Sequence, residues 1–454
     1  MQKSTNCENM MPQENLRIAV IGSGIAGLSA AWLLGKRHSV TLYEKENRLG
    51  GHSNTVSVDH PRGVIPVDTG FIVYNEDNYP NLTALFQHLR VPTKASNMSF
   101  AASLGGGAFE YSGSNLDGLF GQRLIALKPS FWRMIMDLRR FYREAPLHLS
   151  EGATDDLALG DYLRRQRYGS DFIEKHILPM GAAIWSTTAA EMMAYPAETF
   201  IRFFESHGLL RISGRPEWRT VEGGSIEYVR RLSENLTGHV RYSGVRSIER
   251  TGNSVALTPA DGETEHYDHV VIAAHADQAL GLLKDPDRLE SRLLGSWRYT
   301  KNRAVLHSDT RLMPRRRRVW SSWNFIQGID GAAHQPLCVS YWMNLLQSIA
   351  EDSPLFVTLN PPGGLEPKNP HATFDYEHPF FDQGALDTQK DLWSLQGRRR
   401  TWFCGSYFGY GFHEDALESG LSVAEQLGGI NRPWSVQEGS NRVHVTEAVW
   451  ANAA

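Results

Sequence analysis

The chain is short of cysteine. Cys7, Cys338 and Cys404 are the only three in 454 residues. They are scattered and odd in number, so neither a disulfide framework nor the paired spacing of a metal site follows from them. Such sparse thiols fit a reducing compartment, and Cys404, inside an apolar stretch, reads as a small packing residue. No charge-free run is long enough to span a bilayer. The polar lead from Met1 to Asn15 has no apolar signal-peptide core, and the tail from Asn431 to Ala454 carries no hydrophobic anchor. These absences point to a cytoplasmic protein whose membrane contact, where there is any, is peripheral at the inner surface. A net charge of −4 gives no global basic signal for nucleic acid. There is no internal repeat, no catalytic triad and no metal-ligand cluster. A hydrophobic content of 41% in a chain of this length supports more than one ordinary domain.

What is present near the start is a dinucleotide-binding unit. Leu16-Arg17-Ile18-Ala19-Val20-Ile21 reads as a buried strand running into Gly22-Ser23-Gly24-Ile25-Ala26-Gly27, and Leu28 to Leu34 continues as a helix. A second strand, Ser39 to Tyr43, ends on Glu44. A lone G-x-G-x-x-G is weak, because glycine-rich turns also occur for steric reasons. Strand, helix, second strand and terminal acid together are specific. Gly22 makes the tight turn, Gly24 admits a pyrophosphate to the helix N-terminus, and Gly27 lets the helix lie close on the strand. Glu44 is placed to accept from both ribose hydroxyls and to repel a 2′-phosphate. Gly105-Gly106-Gly107 lacks this context, so no separate nicotinamide domain is expected.

The following residues are Glu44-Lys45-Glu46-Asn47-Arg48-Leu49-Gly50-Gly51, an E-x-x-x-R-x-G-G run. It resembles the extended FAD signature of amine-oxidase-type flavoproteins. Asp68-Thr69-Gly70-Phe71 is similar to that family's D-x-G stretch. Arg400 to Ser406 followed by Gly409 to Gly420 resembles its C-terminal FAD motif. Ile177 to Ser186, Ser340 to Asn344 and Gly411 to Asp415 resemble a bacterial branch associated with cyclopropane and methylated fatty acid synthesis. The resemblance covers all but the two ends of the chain. It implies noncovalent FAD, since no cysteine lies between Asn369 and Arg399 where covalent members carry theirs. The implied cofactor residues are Gly22, Gly24, Ile25, Ala26, Gly27, Glu44, Lys45, Arg48, Gly50, Gly51, His52, Asp68, Gly70, Phe71, Val245, Ala273, Gly405, Phe412, His413 and Glu414. His52 stands where the family usually has arginine. Phe412 stands where amine oxidases place a caging tyrosine, which implies a less polar substrate.

The expected fold class is α/β, a Rossmann-like FAD-binding domain of the amine-oxidase/glutathione-reductase type with a discontinuous α+β substrate domain. The FAD domain is expected over 14–74, 215–288 and 398–430, and the substrate domain over 75–214 and 289–397. Residues 1–13 and 431–454 are terminal extensions. The first insertion is helical, with Ser130 to Arg143 alternating apolar and basic residues at helical spacing. Such a helix either packs with a solvated basic face or lies in a membrane interface. Arg315 to Arg318 reads as a second basic cluster, most simply a solvated turn. The second insertion reads as aromatic-rich strands at Ala304 to His307, Val319 to Phe325 and Ser340 to Asn344.

These features together predict an FAD oxidoreductase that removes a hydride from a long apolar substrate, a fatty-acyl chain, as a desaturase or isomerase. The alternatives are a flavin amine oxidase, a porphyrinogen- or carotenoid-type oxidase, and a non-catalytic flavoprotein partner of a lipid methyltransferase. His413, His52 and Tyr341 are the candidate catalytic groups. Asn324, Tyr341, Asn344 and Phe412 are the candidate pocket residues.

Overall fold

The computed structural model describes residues 15–436 and 442–447, apart from 186, 212, 329–337 and 363–364. Cys7, Ser186 and the extension 1–13 lie outside the described residues. The chain forms two compact units. One takes the chain up to Gly51, then Arg231–Gly295, then Lys390 onward; the other takes His52–Arg230 and Ser296–Gln389. This division differs from the expected domains. Residues 52–74 and 215–230 group with the second unit, because Tyr74–Asn75 and Thr93–Ala95 both pair with Trp218–Val221. Residues 289–295 and 390–397 group with the first.

The first unit is built on a five-stranded parallel sheet, in the order His239–Arg241, Ser39–Tyr43, Arg17–Ile21, His269–Ile272, Thr401–Phe403. Its central strands Arg17–Ile21 and His269–Ile272 are largely apolar and buried, as the middle of a sheet covered on both faces requires. The helix Ile25–Leu34 is buried at every position. It packs on the helix His413–Gly428, where a Cβ on Gly420 would come 2.2 Å from the Ala26 carbonyl oxygen. Only glycine allows that approach. An antiparallel sheet of Val245–Arg250, Val255–Pro259 and Glu265–Tyr267 completes the unit.

The second unit is built on a seven-stranded mixed sheet, in the order Ala372–Phe380, Arg298–His307, Phe356–Leu359, Cys338–Trp342, Trp323–Ile326, Phe100–Leu104, Phe109–Ser112. Helices from Pro129–Ser150 to Ala197–Ser206 bear out the helical reading of the first insertion. Strand pairing starts at Trp323 rather than at Val319. The Ser321 amide is taken by Asn324 Oδ1 at 2.9 Å, and Ser322 Oγ donates to the Asn97 carbonyl at 2.6 Å, which turns the chain before the ladder. Gly105, Gly106 and Gly107 all have positive φ and form the hairpin turn between Phe100–Leu104 and Phe109–Ser112. The basic run is more than a solvated turn: Arg316 pairs with the buried carboxylate of Glu110 at 2.6 Å, and Arg317 stacks on Trp320. Among the described residues no helix is long and apolar enough to cross a membrane, and none of the His, Cys, Asp and Glu groups could hold a metal ion.

Candidate functional site

In the first unit the two glycine motifs are bonded to each other. The Gly50 amide donates to the Ser23 carbonyl at 3.0 Å, and a Cβ on Gly51 would lie 3.1 Å from the Gly24 Cα. Gly22 has φ +97°, and a Cβ there would strike the Ala273 carbonyl oxygen at 2.5 Å. A Cβ on Gly27 would lie 1.9 Å from the Gly22 carbonyl oxygen. Gly24 differs: a Cβ there would meet no protein atom within 4 Å. It caps the helix Ile25–Leu34 with no side-chain hydrogen bond and no acid in the first turn. Uncapped amides of Ile25, Ala26 and Gly27 beside open space form an anion cradle that fits a pyrophosphate.

Glu44 closes the strand Ser39–Tyr43 and is buried. Its Oε2 accepts from the Ser23 amide at 2.9 Å and the Ser23 hydroxyl at 2.5 Å, and its Oε1 accepts from the Glu46 amide at 2.9 Å. Those donors fix the carboxylate while lone pairs remain for a ribose. Lys45 is exposed, and its Cβ lies 3.5 Å from the position of a Cβ on Gly244, the residue before Val245. Arg48 donates to the Gly51 carbonyl at 2.9 Å and pairs with Glu46. It therefore braces its own loop.

The C-terminal motif is also assembled in this unit. The Gly405 amide donates to Ser419 Oγ at 3.0 Å, tying the end of the strand Thr401–Phe403 to the helix His413–Gly428. Phe412 is the N-cap residue of that helix, and its amide donates to Asp415 Oδ2 at 2.8 Å. Asp415 in turn pairs with Arg442 at 3.3 Å. Glu414 is fully buried in the first turn. Burial pushes His413 down to about 3, so it is a neutral imidazole. A general base works best with a pKa near the working pH, which His413 lacks.

In the second unit Asp68 is fully buried at the end of the strand Ile65–Asp68. It accepts from Thr55 Oγ1 at 2.6 Å, the Ser225 amide at 2.9 Å, Ser225 Oγ at 2.8 Å and Gln347 Nε2 at 3.1 Å. Burial pushes its pKa up to about 6 against those donors. Asp68 thus ties three distant segments together. Gly70 follows because a Cβ there would come 2.2 Å from the His52 carbonyl oxygen. The His52 ring lies 5.0 Å from Tyr376, whose hydroxyl meets Asn54 Nδ2 at 2.9 Å and Thr69 Oγ1 at 2.8 Å. Phe71 packs edge-on to Tyr228.

The expected pocket residues separate. Asn324 and Ser340 pair across two strands, as do Trp323 and Tyr341, and alternation sends these pairs to opposite faces. Asn324 spends its amide on Ser321 and on the Ser340 carbonyl. Asn344 accepts from Trp342 Nε1 and the Leu355 amide and donates to the Ala350 and Ser353 carbonyls. Both asparagines are structural and present no spare polar atom to a substrate. Tyr341 shares its face with Trp323, and burial raises its pKa, so it keeps its proton.

One residue that the sequence did not single out also lies here. His176 sits in a π-helical turn, Ile173–Ile177, a geometry frequent at functional sites. Tyr111 Oη lies 3.0 Å from the Lys175 carbonyl and 2.8 Å from His176 Nδ1. The carbonyl only accepts, so it takes the hydroxyl proton and the imidazole donates from Nδ1. Nε2 is left as a buried lone pair with no partner among the described residues. Burial lowers its pKa to about 4. No spacing signal in the sequence marks a π-turn.

A family model described as flavin containing amine oxidoreductase matches residues 25–344. Solved structures of the same architecture include a fatty acid isomerase from P. acnes that produces CLA, at 12% identity and TM-score 0.63, covering 90% of this chain and 98% of that one. Cyclohexylamine oxidase from Brevibacterium oxydans IH-35A aligns at 14% identity and TM-score 0.62, covering 91% and 99%. Putrescine oxidase bound to putrescine aligns at 14% identity and TM-score 0.62, covering 90% and 98%.

Proposed function

The chain belongs to the flavin-containing amine oxidoreductases and is an FAD-dependent oxidoreductase, and on that premise we propose that its substrate is a long apolar molecule, a fatty-acyl chain. The observation that carries this reading is one face of the seven-stranded sheet. Tyr111, Ala102, Phe325, Val339, Leu359, Ala304 and Phe374 lie in register across all seven strands. Trp323, Tyr341 and Tyr376 extend the same face by strand alternation. Tyr376 joins those residues to Thr69 of the D-x-G stretch and to Asn54 and His52 just after the double glycine. All of these sheet residues except Phe374 and Trp323 are buried, and an acyl chain seated among them would gain about 0.8 kcal/mol for each methylene buried. A small charged amine gains little there and must first shed its hydration. The fatty acid isomerase among the structural neighbours supports an acyl chain as a substrate that this architecture handles.

Bound FAD supplies the two-electron acceptor. The chain's own residues bind and orient. Glu44 holds the ribose, the Gly24 turn receives the pyrophosphate, and His413 stays neutral at the start of its helix. Hydride loss from one carbon and proton loss from its neighbour leave a double bond in the acyl chain. His52 is the remaining histidine candidate for the proton, since His413 is too weakly basic. Return of hydride and proton to the same chain would isomerise it. Passage of the electrons to oxygen or another carrier would leave a desaturated product.

Amine oxidation is the second reading, and His176 favours it, because a buried lone pair suits an N–H donor. Anaerobic incubation with acyl lipids and with amines, followed by flavin absorbance, separates the two. Acyl lipids are expected to bleach the flavin, increasingly with chain length until the pocket is full. Bleaching by short amines alone would return the chain to amine oxidation. No bleaching by either would favour a porphyrinogen- or carotenoid-type substrate.

A further inference from the structure

We propose that the segment from Leu116 to Met136 is a docking surface for an anionic phospholipid membrane. Ten large apolar side chains are strongly exposed among the described residues, and five of them fall here: Leu116, Leu124, Leu127, Trp132 and Met136. Leu127 is 79% exposed and Leu124 70%. Such concentration is unusual on a free surface and marks an interaction site.

The leucines are held out by residues anchored beneath them. Ile125 and Phe131 are fully buried between the exposed positions. Trp132 Nε1 donates to the Ala126 carbonyl at 2.8 Å, and Phe120 packs against both Phe131 and Trp132. The patch is therefore a built protrusion. Along the helix Pro129–Ser150 the outward stripe continues as Arg139 and Arg143, while Phe131, Met134, Phe141 and Ala145 face inward. An apolar tip with a basic flank is the arrangement of an interfacial helix.

Charge selects the partner. Residues 115–150 carry six Lys and Arg against three Asp and Glu, whereas the whole chain has a net charge of −4. Arg123, Arg133 and Arg143 are paired with Asp117, Asp171 and Glu144. Lys128 and Arg139 are exposed with no ion-pair partner among the described residues, which leaves two cations at the rim for lipid phosphates. A second copy of the chain would oppose this basic patch with its own in a two-fold contact, so like charges disfavour self-association. This inference stands independently of the substrate reading.

The test is co-sedimentation of the FAD-loaded protein with phosphatidylcholine vesicles and with mixed phosphatidylcholine–phosphatidylglycerol vesicles. Partition onto the mixed vesicles should be at least about tenfold stronger at low salt and should fall as salt rises. Leu124→Glu/Leu127→Glu should abolish it, and Lys128→Gln/Arg139→Gln should reduce it by roughly fivefold or more. Both variants alter exposed side chains and should keep the flavin spectrum of the parent. Absence of binding, binding unaffected by either variant, or equal binding to both vesicle types would overturn the proposal. Self-association in sedimentation velocity that the leucine variant removes would assign the patch to a second copy instead.

Discussion

Asn324 and Tyr341 occupy two paired strands and leave the sheet on opposite faces. Their roles should separate accordingly. Asn324→Ala strips partners from the Ser321 amide and the Ser340 carbonyl, and should cost about 1–3 kcal/mol of stability. It should leave KM for any substrate that reduces the flavin unchanged. Tyr341→Phe should keep stability within about 1 kcal/mol and change KM or kcat. Urea unfolding and steady-state kinetics on both variants check this, and a shifted KM in Asn324→Ala would contradict the assignment.

Gly24 and Gly27 should fail in different ways. An added methyl at Gly24 meets no protein atom, so Gly24→Ala should fold with the parental apoprotein Tm. The same methyl would occupy the cradle, so FAD affinity should drop by about tenfold or more. Gly27→Ala drives a Cβ to 1.9 Å from the Gly22 carbonyl oxygen and should destabilise the apoprotein by at least about 1–3 kcal/mol. Calorimetry of the apoproteins, alongside FAD titration, reads both effects.

Glu44→Ala should weaken FAD binding by about 1.5–3 kcal/mol, the range for a charged hydrogen bond. Flavin fluorescence during titration of the apoprotein measures it. The two described cysteines, Cys338 and Cys404, are both buried. No cysteine lies between Asn369 and Arg399, so acid precipitation should release all the FAD into the supernatant, and yellow precipitate would contradict noncovalent binding.

Acid should destabilise the fold from pH 6.5 downward. His176, His269 and His307 are held at about 4, and His413 at about 3, against an ordinary value of 6.5, chiefly by burial. A depressed value means the folded chain resists a proton that the unfolded chain accepts. The associated stability is present above pH 6.5 and is lost as pH falls towards 4. Each of the three at about 4 acts in that direction across the window, and Asp68, raised to about 6, opposes them over part of it. Tm measured against pH should fall less steeply in His176→Gln, whose amide does not titrate. An unchanged slope would mean His176 titrates normally.

The glycine turn was legible because its logic is local. Gly22, Gly24, Gly27 and Glu44 lie within one strand–helix–strand unit, so spacing alone predicts the turn and the buried acid found there. Arg48 and the paired glycines follow within the next loop. The apolar sheet face was legible as aromatic-rich strands, but which side each residue takes depends on register, and register depends on strands more than 200 residues apart in sequence, as with Trp323 and Phe100. Asn324 and Asn344 look like pocket residues in a list of polar side chains among tryptophans. Their turns consume every polar atom, which only coordinates reveal. His176 is hidden for a related reason, since a π-turn is set by packing rather than by residue type.

The cofactor sheet has a further consequence in time. Its edge strand Thr401–Phe403 pairs with His269–Ile272, and more than a hundred residues are synthesised between them. At about 5–20 residues per second the ribosome takes on the order of ten seconds to supply that strand. Until then one edge of His269–Ile272 stays unpaired, and the helix that packs on Ala26 does not yet exist. A nascent chain that has already made its glycine turn therefore still lacks one strand and one packing helix of its first unit. Closure of the sheet therefore waits for the strand Thr401–Phe403, and the open strand edge is what a chaperone would have to shield in the interval.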